Sequence, residues 1–166
     1  MVMLPDVLEE GLKVVFCGTA AGEKSAQVGQ YYAGRGNKFW WILHRSGLTP
    51  RQLQPSEFRT LPQYGIGLTD LAKHVSGMDV VLTKTDFDQA GFQARIEQYA
   101  PLVVAFNGKR AAQEFYGRSA VNYGLQPEPI AASAVFVLPS TSGAANVFWD
   151  ETHWFALATF LNEQRP

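Results

Sequence analysis

Three short apolar runs constrain this fold most: LKVVFC (12–17), LVVAF (102–106) and AVFVLP (134–139). Each is rich in β-branched residues, and none alternates polar with apolar. Continuous apolar strands of this kind are buried on both faces. Helical patterns stand among them. GNKFWWILHRSG (36–47) offers Asn37 as N-cap and Gly47 as stop, with Phe39, Trp40 and Leu43 on one face. DQAGFQARIEQYA (88–100) ends before Pro101, NGKRAAQEFYG (107–117) ends at Gly117, and VFWDETHWFALATFLNEQ (147–164) reads as a closing helix. GIGLTDL (65–71) reads as a fourth strand or strand end. Buried strands alternating with helices imply an α/β protein: a three-layer α/β/α sandwich with a central, mainly parallel sheet and right-handed crossovers. The 166 residues suit a single domain over 1–166.

In an open parallel sheet, ligands bind beyond the carboxyl ends of the strands. That rule selects three loops, 18–36, 69–76 and 139–147. The totals narrow what these loops can do. Net charge is −1, so any nucleic-acid role needs a local patch. Such a patch exists between Glu23 and Arg51, where five basic residues (Lys24, Arg35, Lys38, Arg45, Arg51) face one acid. Phosphate contact explains it, and so does a solvated helix face, the preferred reading for Arg45 and Arg51. The single cysteine, Cys17, reads as a small buried hydrophobe. Cysteine and histidine are too scattered for a zinc site. No apolar run is long enough for a membrane span, and MVMLPDVLEEG lacks the pattern of a signal peptide. A cytoplasmic protein is the expectation.

The first loop holds neither G-x-G-x-x-G nor a P-loop. Gly18, Gly22, Gly29, Gly34 and Gly36 punctuate it, with Tyr31 and Tyr32 between. Such a pair can offer a ring on which a base stacks, or pack on the core. In the second loop, Asp70 stands at a strand's carboxyl end, suited to orient water or stabilise a cationic transition state, or else to cap the next segment. LPSTSGAAN (138–146) is a tight, amide-rich turn that suits phosphate, or a plain connection with Asn146 as N-cap. Lys109 opens a helix after a strand, in a position for phosphate or for solvent. Of the histidines, His74 lies nearest a candidate loop, and His153 reads as a packing residue among Trp149, Trp154 and Phe155.

Taken together, VVFCGTAAG, SAQVGQYYAGRGNKFWWILHRSGLTP, GIGLTDL, FNGKRAA and LPSTSGAAN resemble the mismatch-specific uracil-DNA glycosylases, which include the thymine-DNA glycosylases, within the uracil-DNA glycosylase superfamily. The resemblance implies a uracil-DNA glycosylase-like fold. It also implies hydrolytic release of uracil, and of thymine in some members, from mispairs with guanine after the nucleotide is flipped out, with no metal or cofactor. The implied partner is double-stranded DNA carrying G·U or G·T mismatches, with no membrane involved and a monomer expected. Residue by residue, it places Gly18, Thr19, Ala20, Ser25, Tyr32 and Asn37 at the base pocket, with Tyr32 stacking on the base. Lys109 and the last loop, through Ser140, Ser142, Gly143, Ala144, Ala145 and Asn146, would meet DNA. The chain departs from relatives at three points. Ala20 stands where their Asn positions water, Asp70 where Lys or Asn is common, and Gly143, Ala144 and Ala145 where a bulky wedge is usual.

Breaking an N-glycosidic bond builds positive charge on the sugar. A carboxylate beside C1′ stabilises that charge, and an exposed Asp, with a pKa of roughly 3.9, is ionised at neutral pH. Asp70 is therefore the expected catalytic residue, replacing the missing Asn from another loop. Two alternatives stay open. One is a related enzyme for hypoxanthine or ethenocytosine. The other is a DNA binder that has lost its chemistry.

Overall fold

A computed structural model describes residues 4–72 and 88–164. Five strands form one sheet: β1 (Val14–Gly18), β2 (Ile66–Asp70), β3 (Val103–Asn107), β4 (Gly124–Leu125) and β5 (Ala134–Leu138). Their order is β2-β1-β3-β5-β4, parallel throughout except for β4, which runs antiparallel to β5. The helices are α1 (Glu23–Val28), α2 (Phe39–Arg45), α3 (Gln89–Tyr99), α4 (Lys109–Tyr116) and α5 (Glu151–Glu163). The expected three-layer sandwich is what forms.

Strand residues alternate between two cores, as the period of two requires. Val14, Phe16, Leu68, Ala105, Phe136 and Leu138 pack with α2 and α5 through Phe39, Ile42, Trp154 and Leu157. Val15, Cys17, Val104, Phe106 and Val137 pack with α3 and α4 through Phe92, Ile96, Ala111 and Ala112. Burial on both faces is why the strands read as unbroken apolar runs. Cys17 lies fully inside the second core as a small hydrophobe, its thiol donating to the Gly18 carbonyl at 3.3 Å. Among the described residues no helix is long and apolar enough to cross a membrane.

Several local expectations shift. Helix α2 begins at Phe39, and Lys38 rather than Asn37 holds the cap position. Asn37 still does capping chemistry, accepting the Phe39 N–H at 3.0 Å. The closing helix begins at Glu151, where Asp150 accepts from the Thr152 N–H at 3.0 Å. Residues Gly143–Phe148 instead form 3₁₀ turns. Helix α1 lies inside the first loop, and a 3₁₀ segment, Pro55–Tyr64, precedes β2. Neither carries a strong apolar period. His74 and the second loop beyond Ala72 lie outside the described residues.

The free edge of β2 is covered by the N-terminal segment. Val7 exchanges two backbone hydrogen bonds of 2.9 Å with Leu68. Gly67 permits this approach, because a Cβ there would lie 2.5 Å from the Val7 carbonyl oxygen. Asp6 accepts from the Thr69 hydroxyl at 2.7 Å and pairs with Arg95 at 3.3 Å, and Tyr31 donates to the Pro5 carbonyl at 3.0 Å. Gly67→Ala should therefore destabilise the fold by about 1–3 kcal/mol through overpacking. Denaturant unfolding reads the loss, and faster amide exchange at Val7 and Leu68 locates it.

Candidate active site

The carboxyl ends of β1, β2 and β3 bring Gly18, Asp70 and Asn107 side by side. Gly18 pairs with Asp70 in register, and Asn107 ends β3. Asp70 is 3% exposed, so it is not the exposed carboxylate that its sequence context suggests. A charge there must be held by nearby donors and dipoles and not by bulk water. The position of a Gly18 Cβ would lie 3.0 Å from Asp70 Oδ1 and 3.3 Å from the Tyr32 hydroxyl oxygen. Any larger residue at position 18 would drive these two groups apart.

Tyr32 is held tightly. Its φ of 52° is a left-handed conformation that non-glycine residues rarely adopt. One ring face stacks on Phe39 at 4.1 Å between centroids and 29° between planes. Only the other face is left for a ligand. The neighbouring Tyr31 takes the alternative role, buried at 1% exposure among core residues. Burial first, and the Asp70 charge second, push both phenols well above the ordinary tyrosine range, so both are neutral donors at working pH.

The first loop folds back through its serine. Ser25 Oγ accepts the Ala33 N–H at 3.0 Å, which fixes the turn that carries Tyr32. The Trp40 indole donates to the Tyr31 carbonyl at 3.1 Å from below. The backbones of Gly18 and Thr19 accept from Leu71 and Ala72 at 2.9 and 2.7 Å, so the first and second loops share one ladder.

Asn107 orders the last loop. Its amide nitrogen donates to the Thr141 hydroxyl at 2.9 Å, and its oxygen accepts the Thr141 N–H at 3.0 Å. The sequence reading did not single out Asn107, although it stands at a strand's carboxyl end as Asp70 does. Next to it, Gly108 has a φ of 111°, and a Cβ there would lie 3.3 Å from Ser140 Cβ. The last loop is then fastened to the first. Lys38 N–H donates to the Thr141 carbonyl at 2.8 Å, the Lys38 ammonium meets Asn146 Oδ1, and Gly143 packs on the Gly36 carbonyl.

Together these loops enclose a cavity of about 550 Å³. Asp70, Gly18, Thr19, Ala20, Ser25 and Tyr32 line it, as do Asn37, Lys109, Ser140, Ser142, Ala144 and Ala145. Gly143 and Asn146 turn toward the first loop instead. Leu4, Asn107, Arg110, Tyr123 and Phe148 also line it without having stood out in the sequence. The Lys109 ammonium sits 4.3 Å from the centre of the Tyr123 ring, and Lys24 and Arg110, the latter paired with Glu114 at 3.5 Å, are further basic residues of the lining. Arg45 and Arg51 are not part of it, being paired with Glu151 and Glu57. His153 lies 5.1 Å from the Tyr123 ring, between centroids, and 3.7 Å from Asp150. Val147 and Phe148, 86% and 65% exposed, project at the end of the last loop.

The arrangement is a small-residue pocket with a buried acid in its floor, an aromatic face on one wall and cations on the rim. A solution NMR structure from Methanosarcina acetivorans, provisionally described as a uracil DNA glycosylase, has this fold. It superimposes with a TM-score of 0.67 at 24% identity, over 97% of this chain and 98% of that one. The sequence profile of the uracil DNA glycosylase superfamily matches residues 5–160, nearly the whole chain. The chain belongs to the uracil DNA glycosylase superfamily.

Proposed function

We propose that this protein is a monofunctional DNA glycosylase that hydrolyses the bond between uracil and deoxyribose, with uracil mispaired with guanine as its preferred substrate. The observation that carries the reading is the Asp70 carboxylate, set in the floor of a cavity whose wall is Tyr32. A flipped base enters between Tyr32 and the backbone of Gly18–Gly22. Stacking on the free face of Tyr32 contributes roughly 1–3 kcal/mol. Backbone amides of the first loop read the base edge, since Ala20 and Ala21 carry no polar side-chain atom.

The C1′–N1 bond then breaks, and its electron pair leaves with the base. Positive charge develops on the sugar, and Asp70 stabilises it across a largely dry floor. Water adds its oxygen to C1′ and passes its proton to Asp70 or onward to solvent, leaving an abasic site. The carboxylate takes over what a side chain at position 20 cannot do here. Along the pocket, Lys24, Lys109 and Arg110, the last paired with Glu114 at 3.5 Å, supply cations for the phosphates flanking the flipped nucleotide. The apolar tip at Val147 and Phe148 enters the duplex in place of the usual wedge, since Gly143, Ala144 and Ala145 are too small to fill it.

The methyl group of Ala20 leaves space that an Asn side chain would occupy, which favours a second substrate range of bulkier bases such as thymine or ethenocytosine. A panel of duplexes carrying G·U, G·T, hypoxanthine and ethenocytosine separates the two readings by their single-turnover rates. Asp70→Asn should lower uracil release from a G·U duplex by about 10²–10⁴-fold, with duplex affinity nearly unchanged. A rate within about threefold of wild type, under ~0.7 kcal/mol of barrier, ends this reading. Phe148→Ala should weaken binding to a mismatched duplex by the roughly 1–3 kcal/mol of one stacked ring while leaving thermal stability unchanged, because the side chain is mostly in solvent. Equal binding by this variant and wild type excludes Phe148 from the interface.

A further inference from the structure

Tyr32 carries a hydroxyl that base stacking does not use. That oxygen is buried and meets no hydrogen-bond partner of proper geometry among the described residues. A buried donor left unpaired is costly, so an orphan at a functional site calls for an explanation. The hydroxyl and Asp70 Oδ1 flank one point, 3.3 and 3.0 Å respectively from the Cβ position that Gly18 leaves empty. The Asn107 amide is within reach of the same hydroxyl: its nitrogen and oxygen each make one bond to Thr141, and its second N–H, donated to the phenol oxygen, leaves the phenol proton for Asp70. The ring is locked by Phe39 and by a rare backbone conformation, so the phenol cannot turn away.

We propose that Tyr32 is a positioning residue for the reaction: its hydroxyl donates a hydrogen bond to the Asp70 carboxylate and holds it, charged and aimed, in the floor of the cavity. This rests on the glycosylase reading above and deepens it. A carboxylate accepts several hydrogen bonds, so other donors to Asp70 do not compete with this one. A charge-assisted O–H···O⁻ bond is about twice as strong as a neutral one and favours the ionised acid. Catalytic hydrogen bonds are often long in the unliganded state and shorten around bound substrate. The missing glycyl Cβ is what makes room for the two oxygens to meet. On this view one ring does two jobs: its face takes the base and its hydroxyl sets the acid. Tyr31, Cys17 and Asp6 are the other titratable groups bearing on this corner, and Arg95 donates to the Asp70 carbonyl at 3.3 Å.

Tyr32→Phe keeps the ring and removes only the hydroxyl. With a G·U duplex, its single-turnover rate at neutral pH should fall tenfold or more while the Kd for the duplex stays within twofold. The acid limb of its pH–rate profile should move to higher pH, because the carboxylate has lost a donor to its charged form. A variant within threefold of wild type at neutral pH, with an unmoved acid limb, overturns the inference. Asp70→Asn is run in parallel. If that variant stays active, the glycosylase mechanism itself fails; if it is dead while Tyr32→Phe behaves as wild type, only the present inference does. Should Tyr32→Phe not fold, the Tyr32 hydroxyl proton of the wild-type protein is followed by NMR. A downfield position that is lost as the acid limb is crossed supports the bond, and a resonance indifferent to pH overturns it.

Discussion

Everything at the ligand end of this molecule hangs on one aromatic column. Trp154 of α5 stacks on Phe16 of β1 at 5.4 Å, Phe16 meets Phe39 of α2 edge-on at 5.3 Å, and Phe39 stacks on Tyr32. Aromatic pairs in these geometries add about 0.5–1.5 kcal/mol each beyond the area they bury. The column runs from the middle of the core to the wall of the cavity. It also organises the loops, since the Trp154 indole donates to the Pro139 carbonyl at 3.2 Å and so anchors the start of the last loop. The pocket is therefore continuous with the core, and a ring held at positive φ is tolerable because the packing behind it compensates.

The proposed chemistry rests on a redistribution of roles between loops. Position 20 has no polar atom, while the acid at position 70 sits on the neighbouring strand, in register with Gly18. Two adjacent parallel strands end level with each other, so a functional group can move from one loop to the next and still face the same point. The move also takes the group out of water: the acid at the end of β2, an edge strand covered by the N-terminal segment, is buried at the cavity. What it gains is a strong local field, and what it needs is donors that keep it charged.

Much of this was legible in the sequence, for a physical reason. A strand covered on both faces must be apolar throughout, so β1, β3 and β5 announced themselves, and the carboxyl ends of β1, β2 and β5 pointed to Tyr32, Asp70 and the serines of the last loop. What stayed hidden depends on partners far away in the chain. Nothing local says that Asn107 will clasp Thr141, that Val7 will cover β2, or that Gly143 will meet Gly36. The apolar pair Val147 and Phe148 looked like the first turn of a helix, yet the Asp150 cap begins that helix later and leaves the pair in solvent. The burial of Asp70 was equally unreadable, because the loops around it meet only in the folded chain.

The fastening of the last loop to the first has a consequence for how such a site selects. Thr141, Asn146 and Gly143 grip Lys38 and Gly36, so the two walls form a single preformed socket. A socket that does not need to close returns no energy of closure to its guest. The work of taking a nucleotide out of its stack then falls on the duplex, and a weakly paired base does that work most easily. On the proposed function, selection by such a socket measures how loosely the DNA holds its own base before it measures what the base is.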